Sequence, residues 1–208
     1  MKIATMRFYD GSRDKVCRLG LADLFLELQD IIFDAVVNIE ETPEANSGAG
    51  VREILDAQFR LRDNWQNTAT GGIDWIKRYR YNQTYLARIG VEVQVSARSD
   101  LVVRDIIHLR NDLQRGHIDV GVIIVPSDHF HTFLPDRTPA LRDAVRYIEE
   151  EFKEAMTFPI IVIAVEYDGI GPRLTKRITN RGTGTKKKAT EKRTKGRRAP
   201  HDEQAPPI

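Results

Sequence analysis

The stretch Ile89-Gly-Val-Glu-Val-Gln-Val95 is typical of a β-strand that carries two polar residues inside an apolar run. Because side chains alternate between the two faces of a strand, its three valines point one way while Glu92 and Gln94 emerge together on the other face. A half-exposed strand with polar residues on a solvated face is common, so the heptapeptide alone also fits that interpretation. The rest of the chain favours a functional site.

A second isolated acid lies upstream, in Gly71-Gly-Ile-Asp-Trp75. Asp74 stands at the start of a predicted strand, and Glu92 is followed two positions later by a polar residue. Carboxylates are hard oxygen ligands that suit Mg²⁺, and such an ion can hold a scissile phosphate. The two acids therefore indicate a Mg²⁺-dependent phosphodiesterase.

A helical crossover is predicted after the first strand. Ser99 or Asp100 can cap a helix with apolar residues at helical spacing, and Gly116 can end it. The run Ile118-Asp-Val-Gly-Val-Ile-Ile-Val125 is nearly continuous in apolar residues, as in a strand buried on both faces. We therefore expect two parallel strands joined by a right-handed βαβ connection.

The pattern of helix and buried strand then repeats. Thr138 and Pro139 mark the start of a helix whose apolar stripe continues to Phe152. It leads into Phe158-Pro-Ile-Ile-Val-Ile-Ala-Val165, which predicts another buried strand. The core is therefore predicted to be an α/β sheet of at least four strands, with Asp74 and Glu92 at one edge of the sheet.

The part of the chain before Asp74 is predicted to be mostly helical. Apolar residues at helical spacing predict one helix over residues 21–32 and a second over residues 51–62, with a small and polar loop between them. Residues 1–9 fit either a short strand or an arm. The sequence leaves these two alternatives open.

Length and composition favour one soluble domain. The chain has 208 residues, of which 41% are hydrophobic, so it can bury a substantial core. It shows no secretory signal pattern and no apolar run long enough to span a bilayer. Its single cysteine, Cys17, excludes an internal disulfide, and these features together predict a cytoplasmic protein.

Positive charge is concentrated in the carboxyl-terminal segment. Residues 176–198 contain eleven basic residues and one acid, which leaves a net charge of +8 on residues 176–208 and −6 on residues 1–175. A segment without apolar periodicity is expected to be disordered, so we place the boundary between the folded domain, residues 1–175, and this tail at residue 176. The tail is either an attachment to the phosphate backbone of nucleic acid or a solubilising segment.

The ordered set of motifs resembles the BglII/BstYI-type restriction endonucleases. This branch of the PD-(D/E)XK nuclease superfamily carries Gln in place of the usual catalytic Lys, in a Glu-x-Gln motif. The resemblance runs from Ile73-Asp-Trp-Ile-Lys77 through Val91-Glu-Val-Gln94 to the two buried strands, and it covers roughly residues 18–168. It implies an α/β restriction-endonuclease-like core, with a central mixed sheet flanked by helices and a helical amino-terminal part.

The resemblance also implies a site. Asp74, Glu92 and the backbone carbonyl of Val93 would ligate Mg²⁺, and Gln94 would take the place of the catalytic Lys and orient the attacking water. Because an amide carries no charge, more of the stabilisation of the anion would fall to the metal. One departure is the long interval between Asp74 and Glu92, as though residues 79–87 formed an extra hairpin.

That interval permits a second alignment. Without the extra hairpin, Gln83 or Thr84 would stand opposite the first acid of the family and the metal would lack a ligand. Asp74 is preferred because Asp-Trp-Ile-Lys fits the strand that normally carries this acid, and because Tyr81-Asn-Gln-Thr84 has the composition of a turn.

Residues that contact DNA are expected mainly in loops at the carboxyl ends of the strands. Arg98 and Arg137 could read guanine and Asp128 and Asp136 could accept from cytosine, although Arg98 also fits a phosphate contact and Asp128 a turn cap. The remaining candidates are Ser96, Ser99, Asp100 and, near the hairpin, Lys77.

The histidines give little indication of a metal site. His129 and His131 have the spacing of metal ligands, but without a third ligand they are better interpreted as ordinary polar residues. His108 and His117 are predicted to lie on a helix surface.

The resemblance implies a homodimeric type II restriction endonuclease that cuts a short palindromic site in double-stranded DNA. A cognate DNA methyltransferase is then expected as a separate protein. Two alternatives are a repair or modification-dependent nuclease and a non-catalytic DNA-binding regulator on the same fold.

Overall fold

The computed structural model describes residues 1–68, 72–82, 84–96 and 100–176. The strands in chain order are β1 (Lys2–Phe8), β2 (Asn38–Ile39), β3 (Gln66–Asn67), β4 (Trp75–Tyr81), β5 (Thr84–Val93), β6 (Val120–Pro126), β7 (Ile160–Glu166) and β8 (Gly169–Ile170). The α-helices are α1 (Ser12–Arg18), α2 (Ala22–Asp34), α3 (Gly48–Leu61), α4 (Asp100–Gln114), α5 (Asp128–His131) and α6 (Leu141–Arg146).

A mixed sheet of strand order β1-β7-β6-β5-β4-β3 forms the centre of the described structure. Strands β5, β6 and β7 are parallel, and the other three pair antiparallel with their neighbours. The apolar runs around residues 118–125 and 158–165 form the central strands β6 and β7, which are buried along almost their whole length. The predicted α/β fold with a central mixed sheet flanked by helices is therefore confirmed.

Strands β4 and β5 form a long hairpin. Trp75 pairs with Val91 at its base, and Tyr81 pairs with Thr84 at its turn. Asn82 has a φ of 45° there, a left-handed conformation that Asn tolerates better than most residues. The antiparallel register places Asp74, the residue before β4, beside the end of β5.

Helices pack on both faces of the sheet. On one face, α2 and α3 bury Leu28, Leu55 and Phe59 against alternate residues of β5, β6 and β7. On the other face, α4 buries Ile106 and Leu109 against the intervening residues of β6 and β7. Both faces of the central strands are therefore covered, as their continuous apolar sequences require.

The amino-terminal part is helical, as predicted, and it also contributes a strand. Residues 2–8 form the edge strand β1, antiparallel to β7, so the alternative of a free arm is wrong. Helices α2 and α3 cover the two predicted helical segments. A small two-stranded parallel sheet, β2 with β8, lies outside the main sheet.

The predicted helix over residues 138–152 is shorter and less regular than expected. Helix α6 is followed by a π-helical turn over Tyr147–Glu151 and, after a break at Phe152, by a 3-10 turn over Lys153–Thr157. Phe152 N donates to Tyr147 O at 2.7 Å, five residues back, which is the hydrogen bond of a π-turn.

The described part of the chain contains no helix that is both long and apolar enough to cross a membrane. The basic tail lies almost wholly outside the described residues, from residue 177 onward.

Candidate active site

The polar face of β5 lies inside the protein. Glu92 is 2% exposed and Gln94 is 3% exposed, so the alternative of a solvated strand face is wrong. Both side chains lie on the face that α4 covers, whereas Val91, Val93 and Val95 pack on the opposite face against the amino-terminal helices. Burying a carboxyl group is costly unless it finds partners, so the surroundings of Glu92 need a physical explanation.

Asp74 lies beside Glu92 because of the hairpin register. Its Oδ2 accepts a hydrogen bond from the backbone N of Val93 at 2.9 Å, and its own backbone N donates to Glu92 Oε2 at 3.3 Å. Thr84, the hairpin alternative to Asp74, lies at the other end of the hairpin. Gln83 lies outside the described residues.

Arg52 of helix α3 contacts both Asp74 and the backbone carbonyl of Val93. Its Nη2 lies 2.8 Å from Asp74 Oδ1, and its Nη1 donates a hydrogen bond to the Val93 oxygen. These two oxygens belong to groups that the family resemblance implies as metal ligands. The protein therefore already presents them together to one cation, the guanidinium of Arg52.

Helix α3 is held in place to make this contact. Arg52 Nε donates to both oxygens of Asp56, at 2.9 and 3.0 Å, and Trp75 Nε1 donates to Asp56 Oδ1 at 3.0 Å. At the start of α3, a Cβ on Gly48 would lie 2.3 Å from the backbone oxygen of Val95. Only glycine permits this close approach of the helix to the end of β5.

Two residues of α4 complete the surroundings of Glu92. His108 Nδ1 lies 3.5 Å from Glu92 Oε1, and one ligand atom each of Glu92, Asp105 and His108 lie within 4.8 Å of one another. Among the described residues, neither Glu92 Oε1 nor His108 Nδ1 has a hydrogen-bond partner. His108 lies on helix α4 and is 28% exposed, as predicted for a helix-surface residue, but its Nδ1 is buried and faces Glu92.

The three carboxyl groups respond differently to this environment. Burial raises the pKa of Glu92 to about 10, and the charges of Asp105 and Asp74 add to the effect. Burial and the charge of Asp74 raise the pKa of Asp105 to about 6. Burial also opposes ionisation of Asp74, but the hydrogen bond and charge of Arg52 outweigh it and hold the pKa of Asp74 below its usual value.

Gln94 contacts Asp105. Its Nε2 donates to Asp105 Oδ2 at 2.6 Å, and Arg104 Nε lies 3.5 Å from the other oxygen of the same carboxylate. The amide at position 94 therefore fixes the orientation of an acid on the neighbouring helix. A charged amine is not required for that contact, because an amide N–H is already a good donor.

The predicted DNA-contacting residues are dispersed. Ser96 is exposed directly after the buried end of β5, and Asp136 and Arg137 are exposed in the loop after α5. Because β5 and β6 are parallel, the loops that follow them leave the same edge of the sheet. Arg98 and Ser99 lie outside the described residues, as does the side chain of Asp100.

Two of these residues have partners within the protein. Lys77 forms an ion pair with Glu27 of helix α2. Asp128 Oδ1 accepts a hydrogen bond from the backbone N of Arg142 at 3.2 Å. Of the histidine pair, His129 lies 3.3 Å from Glu166 and His131 lies 3.3 Å from Arg142.

Sequence reasoning missed Arg52, Asp56, Asp105 and His108. The i, i+3 spacing of Asp105 and His108, on the helix that follows the strand carrying Glu92, was an available signal. Arg52 and Asp56 also have helical spacing, i and i+4, but such pairs are usual on solvated helix faces, so nothing local distinguishes them.

Comparison with known proteins identifies the family of the chain. The family model described as restriction endonuclease BglII/BglIII matches residues 21–165, which is more than half of the chain and includes Asp74, Glu92, Gln94, Asp105 and His108. No individually curated protein sequence matches the chain. The chain therefore belongs to the BglII/BglIII family of restriction endonucleases.

Proposed function

We propose that this protein is a Mg²⁺-dependent type II restriction endonuclease that cuts both strands of a short palindromic DNA site. One observation supports this most directly. Asp74 and the Val93 carbonyl both contact the guanidinium of Arg52, beside the buried carboxyl group of Glu92. Membership of the restriction endonuclease family indicates that the reaction is cleavage of DNA. The arrangement of the oxygen ligands indicates how a metal ion would be bound for that reaction.

The residues present fit a divalent ion. Asp74, Glu92 and the Val93 carbonyl offer only oxygen atoms, the ligand type that Mg²⁺ prefers. Asp74 and Val93 already hold a positive group, so the same oxygens suit a metal cation once Arg52 gives way or shares the site. A bound Mg²⁺ would supply positive charge to polarise the scissile phosphate and acidify the attacking water.

The side chains around these ligands have separate tasks. Arg52 holds Asp74 ionised when no metal is bound, because its positive charge offsets the effect of burial. Gln94 fixes Asp105 by a short hydrogen bond, and its remaining polar capacity is available to orient a water molecule. Asp56 anchors Arg52, so it is a positioning residue.

The DNA duplex would approach the edge of the sheet where β5 and β6 end. Ser96, Asp136 and Arg137 are exposed in loops at this edge, and Asp100 and Asp128 are the first residues of helices α4 and α5. Arg137 and Arg98 can read guanine, and Asp136 and Asp128 can accept from cytosine. Lys77, which is paired with Glu27, would reach phosphate only by leaving that partner.

A palindromic site implies a symmetric protein. Two identical half-sites are matched by two identical subunits related by a twofold axis, so we propose a homodimer. A nuclease of this kind also requires protection of the host genome, for which we propose a separate cognate methyltransferase. The basic tail, residues 176–208, would add nonspecific attraction to DNA outside the domain formed by residues 1–175.

Digestion of phage DNA tests the proposed function. Incubation with Mg²⁺ should give discrete bands, and incubation with EDTA in place of Mg²⁺ should give none. Sequencing of the fragment ends would then show one palindromic sequence at every cut. A smear without preferred ends would favour a repair nuclease, cutting restricted to methylated DNA would favour a modification-dependent nuclease, and binding without cutting would favour a regulator.

A further inference from the structure

We propose that Glu92, Asp105 and His108 form a second metal site, selective for a divalent first-row transition ion over Mg²⁺. It lies on the α4 side of Glu92, shares that residue with the oxygen-only site of Asp74 and Val93, and adds Asp105 and His108. The proposal goes beyond the nuclease function, since it concerns which ion the protein holds and where. It depends on geometry that is present without DNA.

The two oxygens of Glu92 face different neighbours. Oε2 accepts a hydrogen bond from the backbone N of Asp74 at 3.3 Å, whereas Oε1 lies 3.5 Å from His108 Nδ1. Glu92 is 2% exposed, and its Oε1 has no hydrogen-bond partner among the described residues. A buried acceptor without a donor is unfavourable unless a further group satisfies it, and a cation between these groups would do so.

Asp105 supplies the third ligand atom. Its carboxylate is 5% exposed and is oriented by Gln94 on one oxygen and Arg104 on the other. Each carboxylate oxygen has two lone pairs, so these hydrogen bonds leave capacity to bind a metal. Partners of this kind, which hold a ligand in position without touching the ion, are typical of metal sites.

The chemistry of the three ligands sets the selectivity. Mg²⁺ dehydrates reluctantly and prefers oxygen, whereas an imidazole nitrogen suits first-row transition ions such as Fe²⁺, Ni²⁺ and Zn²⁺, with Mn²⁺ the weakest binder of that series. Two carboxylates with one imidazole therefore form a site for a transition ion. Glu92 belongs to both ligand sets, so it would be a ligand for an ion in either site.

Mn²⁺ binding to the full chain, without DNA, tests the proposal. Titration followed by electron paramagnetic resonance measures the free ion, and pulsed measurements detect a magnetic nitrogen bound to manganese. We expect bound Mn²⁺ to show a histidine nitrogen coupling that changes in protein labelled with ¹⁵N-histidine. Wild-type protein that binds no Mn²⁺, or binds it without nitrogen coupling, would overturn the proposal whatever the variants do.

A pair of histidine variants assigns the ligand. His108→Gln should weaken Mn²⁺ binding by about tenfold or more, since even outer partners of a metal ligand contribute about 10–100-fold to affinity. Its Mg²⁺ affinity should change much less. His117→Gln is the matched control, because His117 is 60% exposed and pairs with Asp112. Equal Mn²⁺ affinity in His108→Gln and wild type would contradict the assignment.

This result is separable from the proposed nuclease function. No DNA is present, so an inactive protein can still show the nitrogen coupling, and an active nuclease can lack it. Thermal unfolding of His108→Gln, followed by circular dichroism, checks that the variant is folded. If it is not, the labelled wild-type experiment decides alone.

Discussion

Replacing Arg52 by Gln tests whether its guanidinium holds the place of a metal ion. Removing one member of a buried ion pair costs about 3–5 kcal/mol, and this pair is partly exposed, so we expect a loss of about 2 kcal/mol. The exposed fractions are 21% for Arg52 and 27% for Asp74. For a domain of this size, that loss lowers the melting temperature by roughly 4–8 °C.

Calcium should then stabilise the variant more than wild type. A unit charge about 4 Å from another contributes about 4 kcal/mol at an effective dielectric constant of about 20. Because Arg52 can move aside when an ion binds, we expect a smaller gain, at least tenfold in Ca²⁺ affinity or about 1.4 kcal/mol. At the same excess of Ca²⁺, the variant should gain roughly 3–6 °C more than wild type.

Differential scanning calorimetry with and without Ca²⁺ measures both effects. Arg60→Gln on the same helix is the control, since Arg60 is exposed and its guanidinium lies 6.0 Å from the ring centroid of Trp75. Equal stabilisation of wild type and Arg52→Gln by Ca²⁺ would refute the reasoning, because it would mean that Arg52 and the ion do not compete.

Three further predictions concern the rest of the site and the tail. Gln94→Ala should lose most of its cleavage rate, since Asp105 loses the donor that orients it, whereas Gln94→Lys should retain part of it; full activity of the Ala variant in a plasmid cleavage assay would remove Gln94 from the mechanism. Truncation after Thr175 should leave the cleavage pattern unchanged and weaken binding to random DNA in a gel shift at low salt, with a smaller difference at high salt. Without metal, stability should fall as pH rises above about 4.5, because the folded pKa of Glu92 is raised to about 10 and the folded state keeps a proton that the unfolded state releases. Glu92→Gln should remove most of that slope in calorimetric unfolding measured between pH 5 and 8, and an unchanged slope would assign it to other groups.

The sheet and the two acids could be predicted from the sequence because their signals are local. The buried strands β6 and β7 are continuous apolar runs, and the alternation in β5 places Glu92 and Gln94 on one face without any tertiary information. The hairpin follows from the turn composition at Asn82 and from the long interval between the two acids.

The contact between Arg52 and Asp74 could not be predicted in the same way. Arg52 reaches Asp74 only because α3 packs tightly on the end of β5, where a Cβ on Gly48 would collide with the backbone of Val95. Such a close approach is a property of the packed structure. The irregular end of α6 could not be predicted either, since the apolar spacing there fits a regular helix.

The rate of DNA cleavage by Asp74→Asn tests the central claim most directly. With saturating Mg²⁺ and a plasmid substrate, this variant should cut at least about a hundredfold more slowly than wild type, because a metal ligand that supports about 3 kcal/mol of transition-state stabilisation is lost. Exposed Asp23→Asn should cut at the wild-type rate. Binding of DNA by Asp74→Asn without metal should be retained or tightened, since a negative charge beside the phosphate is removed. Cleavage by Asp74→Asn at the wild-type rate would contradict the account, because the first metal ligand would then lie elsewhere.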